Sequence, residues 1–444
     1  MKRMLALLAT AALLAVVFSV PVAAEDTPSR YVVVFAGNGL PKDAGKIIQS
    51  AGGTLVSEFP RIGTAIATSS SPAFGNALQR SNKVHAVGLE RYQVLPELEV
   101  QAFVEQPTAT DFLYFLYQWD IRRVKADMAW PTNSGSHDTV VAIIDTGIAW
   151  NHPDLAPNVV YAACFRTTPG CSPYPDLHWH GTHVAGTVAA AFDGGWTVGV
   201  GPNLGLASYN VFEYVPGVGV VAFDSAIWAA MMDAAEEDFD VINMSLGGYV
   251  VMPLSQEDVA AWTAWLRMAQ YINRKGITIV ASAGNANLDL NGPVAHIPSD
   301  VPGVISVGAT GIRPYPFYPW PDAYDVRASY SNFGAAVTIS APGGDLGPES
   351  PPAPYWWYLV MSTYVIIDPV CAATQSCFPW YAWAGGTSMA SPHVAGAAGL
   401  VKDQDPGLNP HQVEAILTRS AESLGDRQQF GHGMVDVAAA VAEA

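Results

Sequence analysis

Five consecutive apolar residues, Val140-Val141-Ala142-Ile143-Ile144, run straight into Asp145-Thr146-Gly147. A strand with one wet face alternates polar and apolar residues. An unbroken run is covered on both faces, as in a parallel sheet. Val241-Ile242-Asn243-Met244 and residues 277–281 repeat the pattern, with helical stretches at 223–237 and 259–275 between them. From about residue 119 onward the chain therefore reads as α/β, a doubly wound, mostly parallel sheet with helices on both faces. Such sheets place ligand sites at the carboxyl ends of their strands.

The region before it has a different rhythm. Residues 31–36, 54–60, 63–68 and 84–89 are strand-like, and 41–51 and 73–80 are helical. The order β-α-β-β-α-β is the split βαβ arrangement, a small α+β ferredoxin-like unit. Residues 96–118 are polar and turn-rich (Glu97, Glu99, Gln101, Glu105, Gln106, Pro107) and read as a linker. At the start, Lys2 and Arg3 precede an apolar run from Leu5 to Val20, followed by Val22-Ala23-Ala24. That is the anatomy of a signal peptide over residues 1–24. The alternative is a membrane anchor, for which the run is short.

Half of the residues are apolar and 14% are charged, enough for a large core. The formal net charge of -18 repels phosphate backbones, which argues against nucleic acid as a partner. The four cysteines, Cys164, Cys171, Cys371 and Cys377, form two pairs close in sequence. In an exported chain the natural reading is two local disulfides, 164–171 and 371–377, although four cysteines allow other connectivities. Zinc is the alternative, but these spacings fit no common zinc pattern. Residues 312–322 and 344–383 are rich in Pro and aromatics (Trp356, Trp357, Trp380, Trp383) and read as loops decorating the domain.

Four segments carry chemistry. Ile143-Ile144-Asp145-Thr146-Gly147 ends a strand in a carboxylate, a pattern shared with aspartic proteases and ordinary turns. His180-Gly181-Thr182-His183-Val184-Ala185-Gly186 puts a histidine at the start of an apolar helix. Metal binding by His180 and His183 would need spacing i, i+4 with a Glu between, and neither is present. His183 reads as a packed neighbour and His178 as a decoy. Ala281-Ser282-Ala283-Gly284-Asn285 ends a strand in a side-chain amide, or is a plain turn. Gly385-Gly386-Thr387-Ser388-Met389-Ala390-Ser391-Pro392-His393-Val394-Ala395-Gly396 sets a serine where a helix begins. That serine is either a cap or a nucleophile beside backbone N–H groups that would favour an oxyanion.

In the order Asp145, His180, Asn285, Ser388, these segments resemble the subtilisin family of serine proteases from about residue 119 to the end. Residues 25–95 more loosely resemble that family's inhibitor-like propeptide. The resemblance implies a secreted serine endopeptidase made as a self-processing zymogen, with its maturation site within 96–118 and its protease domain at 119–444. Ser388 would be the nucleophile, His180 the general base and acid, Asp145 its orienter and Asn285 the oxyanion donor. Ser245, Leu246 and Gly247 would pair with substrate, and Ala283 and Gly284 would help wall the pocket for the residue before the cut.

Its expected partners are polypeptide substrates and its own propeptide, with no membrane partner after signal cleavage and the protein as a monomer. The chemistry requires no cofactor. A structural calcium ion is possible, because Asp154 in His152-Pro153-Asp154-Leu155 matches a position that ligates calcium in many relatives. The short loop at Asp193-Gly194-Gly195 lacks the asparagine-rich ligand run of some of them. Two other readings are a catalytically inactive binding protein on the same fold and an acidic peptidase with Glu in place of His. The first calls for loss of a catalytic residue, and the second is opposed by the intact His180 and Asn285 segments.

Overall fold

Strand β1 (Ser29–Phe35) lies between β3 (Thr64–Ser69) and β4 (Val84–Leu89), and β2 (Thr54–Phe59) pairs with β3, giving the order β2-β3-β1-β4 with every pair antiparallel. Helices α1 (Ala44–Ser50) and α2 (Phe74–Gln79) supply Ala44, Ile48, Phe74 and Leu78 to a core shared with Val33, Phe35, Ala65, Ala67 and Val87. This is the split βαβ unit expected from the sequence, with element ends within a few residues of expectation. The computed structural model describes residues 28–37, 39–95, 99–102, 112–174, 176–313, 324–346, 355–367, 369–374 and 377–444. The signal-like segment 1–24 lies outside them. Among the described residues, no helix is long and apolar enough to cross a membrane. Contacts divide the chain into two compact units, residues 1–90 with 254–261, and residues 91–253 with 262–444.

The second unit opens with two short strands, β5 (Tyr92–Val94) and β6 (Glu99–Ala102). Its main sheet is built from β7 (Val140–Asp145), β8 (Val159–Cys164), β9 (Gly205–Asn210), β12 (Val241–Met244), β14 (Thr278–Ser282), β16 (Ile305–Arg313), β17 (Tyr324–Arg327) and β18 (Ile339–Pro342). The order is β17-β16-β14-β12-β7-β9-β8, with β18 also on β16. Only the β16–β17 pair is antiparallel. All six residues of β7 are buried, as a central strand covered on both faces requires. From β7 the chain builds the sheet first toward β9 and β8, then toward β12, β14 and β16. The carboxyl ends of β7 and β12 thus flank the switch point where such sheets bind ligands.

Smaller pieces surround the sheet. β10 (Phe212–Val215) and β11 (Gly219–Phe223) form a hairpin that β5 joins, and β13 (Gly248–Val251) pairs with β15 (Val294–Ile297). The helices include α3 (His180–Ala189), α4 (Asp224–Glu236) and α5 (Gln256–Arg274), the last two close to the expected 223–237 and 259–275.

Two sequence expectations change. The aromatic stretch read as loops is a long hairpin of β19 (Val360–Ile366) and β20 (Phe378–Gly385), paired antiparallel through seven positions and joined by β6. Its β-branched and aromatic residues are good strand formers, but prolines and flanking polar runs obscure their period. Residues 314–322, 347–354, 368, 375 and 376 of those stretches lie outside the described residues. The stretch 96–118, read as a linker, carries β6 and a helix at Phe112–Tyr117. Both local disulfides form, Cys164–Cys171 with Cα atoms 5.8 Å apart and Cys371–Cys377 with 4.3 Å.

Candidate active site

Asp145 is the last residue of β7, and Gly147 just beyond it takes φ +102°, which glycine adopts without strain. The turn brings the chain against the start of α3. A Cβ on Gly181 would lie 2.2 Å from the Gly147 carbonyl oxygen, so only glycine lets the two segments approach this closely. His180 opens α3, and its Nδ1 lies 2.7 Å from Asp145 Oδ1 with both side chains fully buried. Asp145 Oδ1 also accepts the Thr146 N–H at 2.7 Å. A carboxylate can only accept, so Nδ1 carries the hydrogen and Nε2 is left as the basic nitrogen. Among the described residues, that buried Nε2 has no hydrogen-bond partner.

Ser388 stands in the first turn of α6 (Thr387–Gln404), where helix geometry leaves N–H groups without intrahelical acceptors. α3 and α6 pack against each other. The Ser388 hydroxyl donates to the Ser245 carbonyl at 3.3 Å, and the Ser245 hydroxyl donates back to the Ser388 carbonyl at 2.9 Å. The second bond has a local cause. Pro392, four residues on, has no N–H to offer that carbonyl. Asn243 Nδ2 in turn donates to the Ser245 hydroxyl at 3.1 Å, and Ser391 donates to Asn243 at 2.7 Å, so four buried polar residues hold the turn at Ser388.

Asn285 follows β14. Its side-chain oxygen accepts both the Thr387 N–H, at 2.9 Å, and the Thr387 hydroxyl, at 2.7 Å. With its oxygen engaged this way, the amide is fixed with its NH₂ as the free donor end. A cavity of about 190 Å³ opens here, lined among others by Ser245, Leu246, Gly247, Gly284, Asn285 and Ser388. Ala283 does not line it. Its side chain packs with Leu290 and Val337, and its carbonyl accepts from Asn332 Nδ2 at 2.7 Å.

Four lining residues were not singled out in the sequence: Val94, Tyr249, Ala286 and His296. His296 is held by Ser299 at 2.8 Å, and burial pushes its imidazole down to about 3, so it lines the cavity as a neutral ring. A Cβ on Gly247 would lie 2.2 Å from the His296 ring, which accounts for the glycine.

The other histidines of the motif are occupied elsewhere. His183 is buried with Nε2 3.2 Å from the Ala382 carbonyl, and burial, reinforced by His180, lowers it to about 3. His178 stacks on Trp179 with ring centres 5.5 Å apart, and burial lowers its pKa too. Asp176 also escaped the sequence reading. Its fully buried carboxylate accepts the N–H groups of His178, Trp179 and Thr182 and, at 2.6 Å, the Thr182 hydroxyl. It anchors the first turn of α3, and so His180. Burial raises its pKa above the ordinary carboxylate value, against the opposing pull of those donors. An aspartate just ahead of an apolar helix was the available signal.

The Peptidase_S8 subtilase family model matches residues 136–433. Subtilisin DY of Bacillus licheniformis is 34% identical over 322 residues, 72% of this chain and 97% of that protein. The chain belongs to the subtilase family. It is a serine endopeptidase by that membership. An alkaline protease of Alkalihalobacillus alcalophilus is 30% identical over 380 residues, 82% of this chain and 84% of that one. Among solved structures, the epidermin leader peptide processing serine protease of Staphylococcus aureus shares the fold at a TM-score of 0.73. It is 22% identical, over 94% of this chain and 100% of that one.

The subtilase calcium position does not fit the ion here. Asp154 Oδ2 accepts the Trp196 N–H at 3.3 Å, the Thr197 N–H at 2.9 Å and the Thr197 hydroxyl at 2.8 Å, while Oδ1 accepts the Tyr381 hydroxyl at 3.0 Å. A hard cation needs several oxygen lone pairs converging on it. Here a single buried carboxylate faces four hydrogen-bond donors. No cluster of three or more His, Cys, Asp or Glu suited to a metal occurs among the described residues.

Proposed function

We propose that the chain is an exported, self-processing endopeptidase in which Ser388 attacks the peptide carbonyl, His180 takes and returns the proton, and Asp145 fixes the His180 tautomer. The observation that carries this reading is the buried His180–Asp145 pair, which leaves an unpartnered Nε2 on a helix packed against the one whose first turn holds Ser388. A free serine hydroxyl is a poor nucleophile and needs such a base. Catalysis then requires the Ser388 hydroxyl to turn from the Ser245 carbonyl to His180 Nε2. Hydrogen bonds in uncomplexed active sites are often made only when substrate arrives. The Asn285 NH₂ and the Ser388 N–H are the donors for the developing oxyanion.

Export is supported by the signal-like residues 1–24 and by the two disulfides, which persist in oxidising compartments. Residues 25–95 act as the inhibitory propeptide. Cleavage falls within 96–118, and residues 96–98 and 103–111 of that stretch lie outside the described residues. Polypeptides are the substrates and the enzyme acts as a monomer. The decisive experiment is casein digestion with and without a serine-directed phosphonate. Digestion should stop with one adduct per chain, mapped by peptide mass to Ser388. An adduct on another residue, or undiminished digestion, overturns the assignment.

We also propose that the Asp154 site holds its loop without calcium. Chelation should leave the thermal midpoint unchanged, while Asp154→Asn, which turns an NH₂ toward groups that donate, should cost about 1–3 kcal/mol. A midpoint that falls on chelation in the native enzyme but not in Asp154→Asn would restore calcium to this position.

A further inference from the structure

Two rings close one end of the cavity beside Ser388. Strands β13 and β15 pair antiparallel with Tyr249 opposite His296, so the two side chains stand on one face of the pair. Their ring centres are 4.9 Å apart, and both residues line the cavity. The imidazole is wedged between two glycines that also line it. A Cβ on Gly247 would lie 2.2 Å from His296 Cε1 and 2.6 Å from its Nε2, and a Cβ on Gly284 would lie 3.0 Å from Cδ2. The ring edge that carries Nε2 therefore fills the slot between these walls. A large aromatic side chain entering the cavity meets it.

The hydrogen bonds behind the ring fix what it offers. Asp300 Oδ2 accepts the His296 main-chain N–H at 2.8 Å, and Oδ1 accepts the Ser299 hydroxyl at 3.1 Å. Burial raises the Asp300 carboxyl to about 6, so above that pH it is ionised and only accepts. The single hydroxyl hydrogen of Ser299 goes to this charged oxygen rather than to the His296 carbonyl, 3.4 Å away. The 2.8 Å bond between Ser299 and His296 is then donated by the imidazole Nδ1–H. The buried ring is neutral, so Nε2 is a bare acceptor, and among the described residues it has no partner. Tyr249 supplies the complement. Its hydroxyl oxygen accepts from Asn332 Nδ2 at 3.1 Å, and burial raises its pKa, so the hydroxyl keeps a hydrogen to donate.

The carbonyl under attack lies between Ser388 and the Asn285 amide, which both line this cavity. The residue that owns the carbonyl puts its side chain there. We propose that His296 and Tyr249 select a side-chain amide, glutamine or asparagine, at the residue before the cut. The amide NH₂ donates to His296 Nε2, and the amide oxygen accepts from the Tyr249 hydroxyl, so one group satisfies both. A carboxylate has no hydrogen for Nε2, an ammonium has no acceptor for Tyr249, and an aliphatic chain leaves both without a partner. The proposal rests on the serine endopeptidase reading and names its substrate class.

The test uses the matured enzyme and peptide anilides that differ only in the residue before the cut: Gln, Asn, Glu, Met, Phe and, as reference, Ala. In the native enzyme kcat/KM for Gln should exceed that for its isosteres Glu and Met by about 10–100-fold, with Phe below all of them. His296→Gly removes the acceptor and opens the slot, so Gln and Met should come within about threefold of each other and Phe should gain about tenfold. Tyr249→Phe keeps the ring and should lower Gln about tenfold while leaving Met and Ala unchanged. Gln cleaved no faster than Met by the native enzyme, or a Gln preference that survives both substitutions, overturns the amide site and leaves the protease standing. Failure to cleave any anilide, Ala included, overturns the protease reading instead.

Discussion

Ser388→Ala should abolish proteolysis and leave the full-length precursor uncut when the protein is purified alone. The expected loss in kcat is about 10⁶-fold, the size found for the nucleophile of subtilisin, or about 8 kcal/mol at the transition state. Alanine keeps the helix start, the Asn285 amide and the cavity, so binding should survive. The Ser388 hydroxyl donates only one long bond, 3.3 Å to the Ser245 carbonyl. The reciprocal bond, from the Ser245 hydroxyl to the main-chain carbonyl of residue 388, does not need the serine side chain. Stability should therefore hardly change, which separates this variant from one that fails to fold. Intact mass after expression is the readout. A variant that still matures by itself would show that another group cuts the chain.

The site was legible because its chemistry lies in short contiguous segments. Asp145 ends a strand, Asn285 follows one closely, and His180 and Ser388 lie in the first turns of helices, and those positions follow from local pattern. What escaped the sequence depends on partners far along the chain. β6 is a strand because Glu99–Ala102 finds Ala382–Gly385, some 280 positions on, and nothing in its polar neighbourhood announces it. The Asp154 carboxylate looked like a cation ligand because its donors, Thr197 and Tyr381, stand 43 and 227 residues away. The hairpin of β19 and β20 was hidden by its own composition, since Pro and Trp signal loops as readily as edge strands. Ala283 shows the converse error. Its place in a recognisable segment suggested a pocket wall, but its side chain packs with Leu290 and Val337, while Gly284, at φ +98°, lines the cavity.

Asp145→Asn should reduce kcat by about 10⁴-fold with the fold intact. Asparagine matches aspartate in size, so the fully buried site can accept it without a cavity. The loss comes from hydrogen-bond direction. Asp145 Oδ1 accepts both the Thr146 N–H, at 2.7 Å, and His180 Nδ1, at 2.7 Å. An asparagine that keeps its oxygen on Thr146 can still hold the neutral imidazole through Nδ1–H, but it supplies no negative charge when His180 becomes imidazolium. An asparagine flipped to present its NH₂ forces the hydrogen onto Nε2, the nitrogen that must receive the Ser388 proton, and clashes with the Thr146 N–H. Both orientations damage the proton-transfer step rather than the cavity, whose walls do not include Asp145 or His180. KM for a short anilide should therefore move far less than kcat. Activity should recover partly at high pH, where hydroxide can remove the proton that His180 no longer takes efficiently. A variant with unchanged kcat and a raised KM would place Asp145 in substrate binding, and would remove it from the proton path.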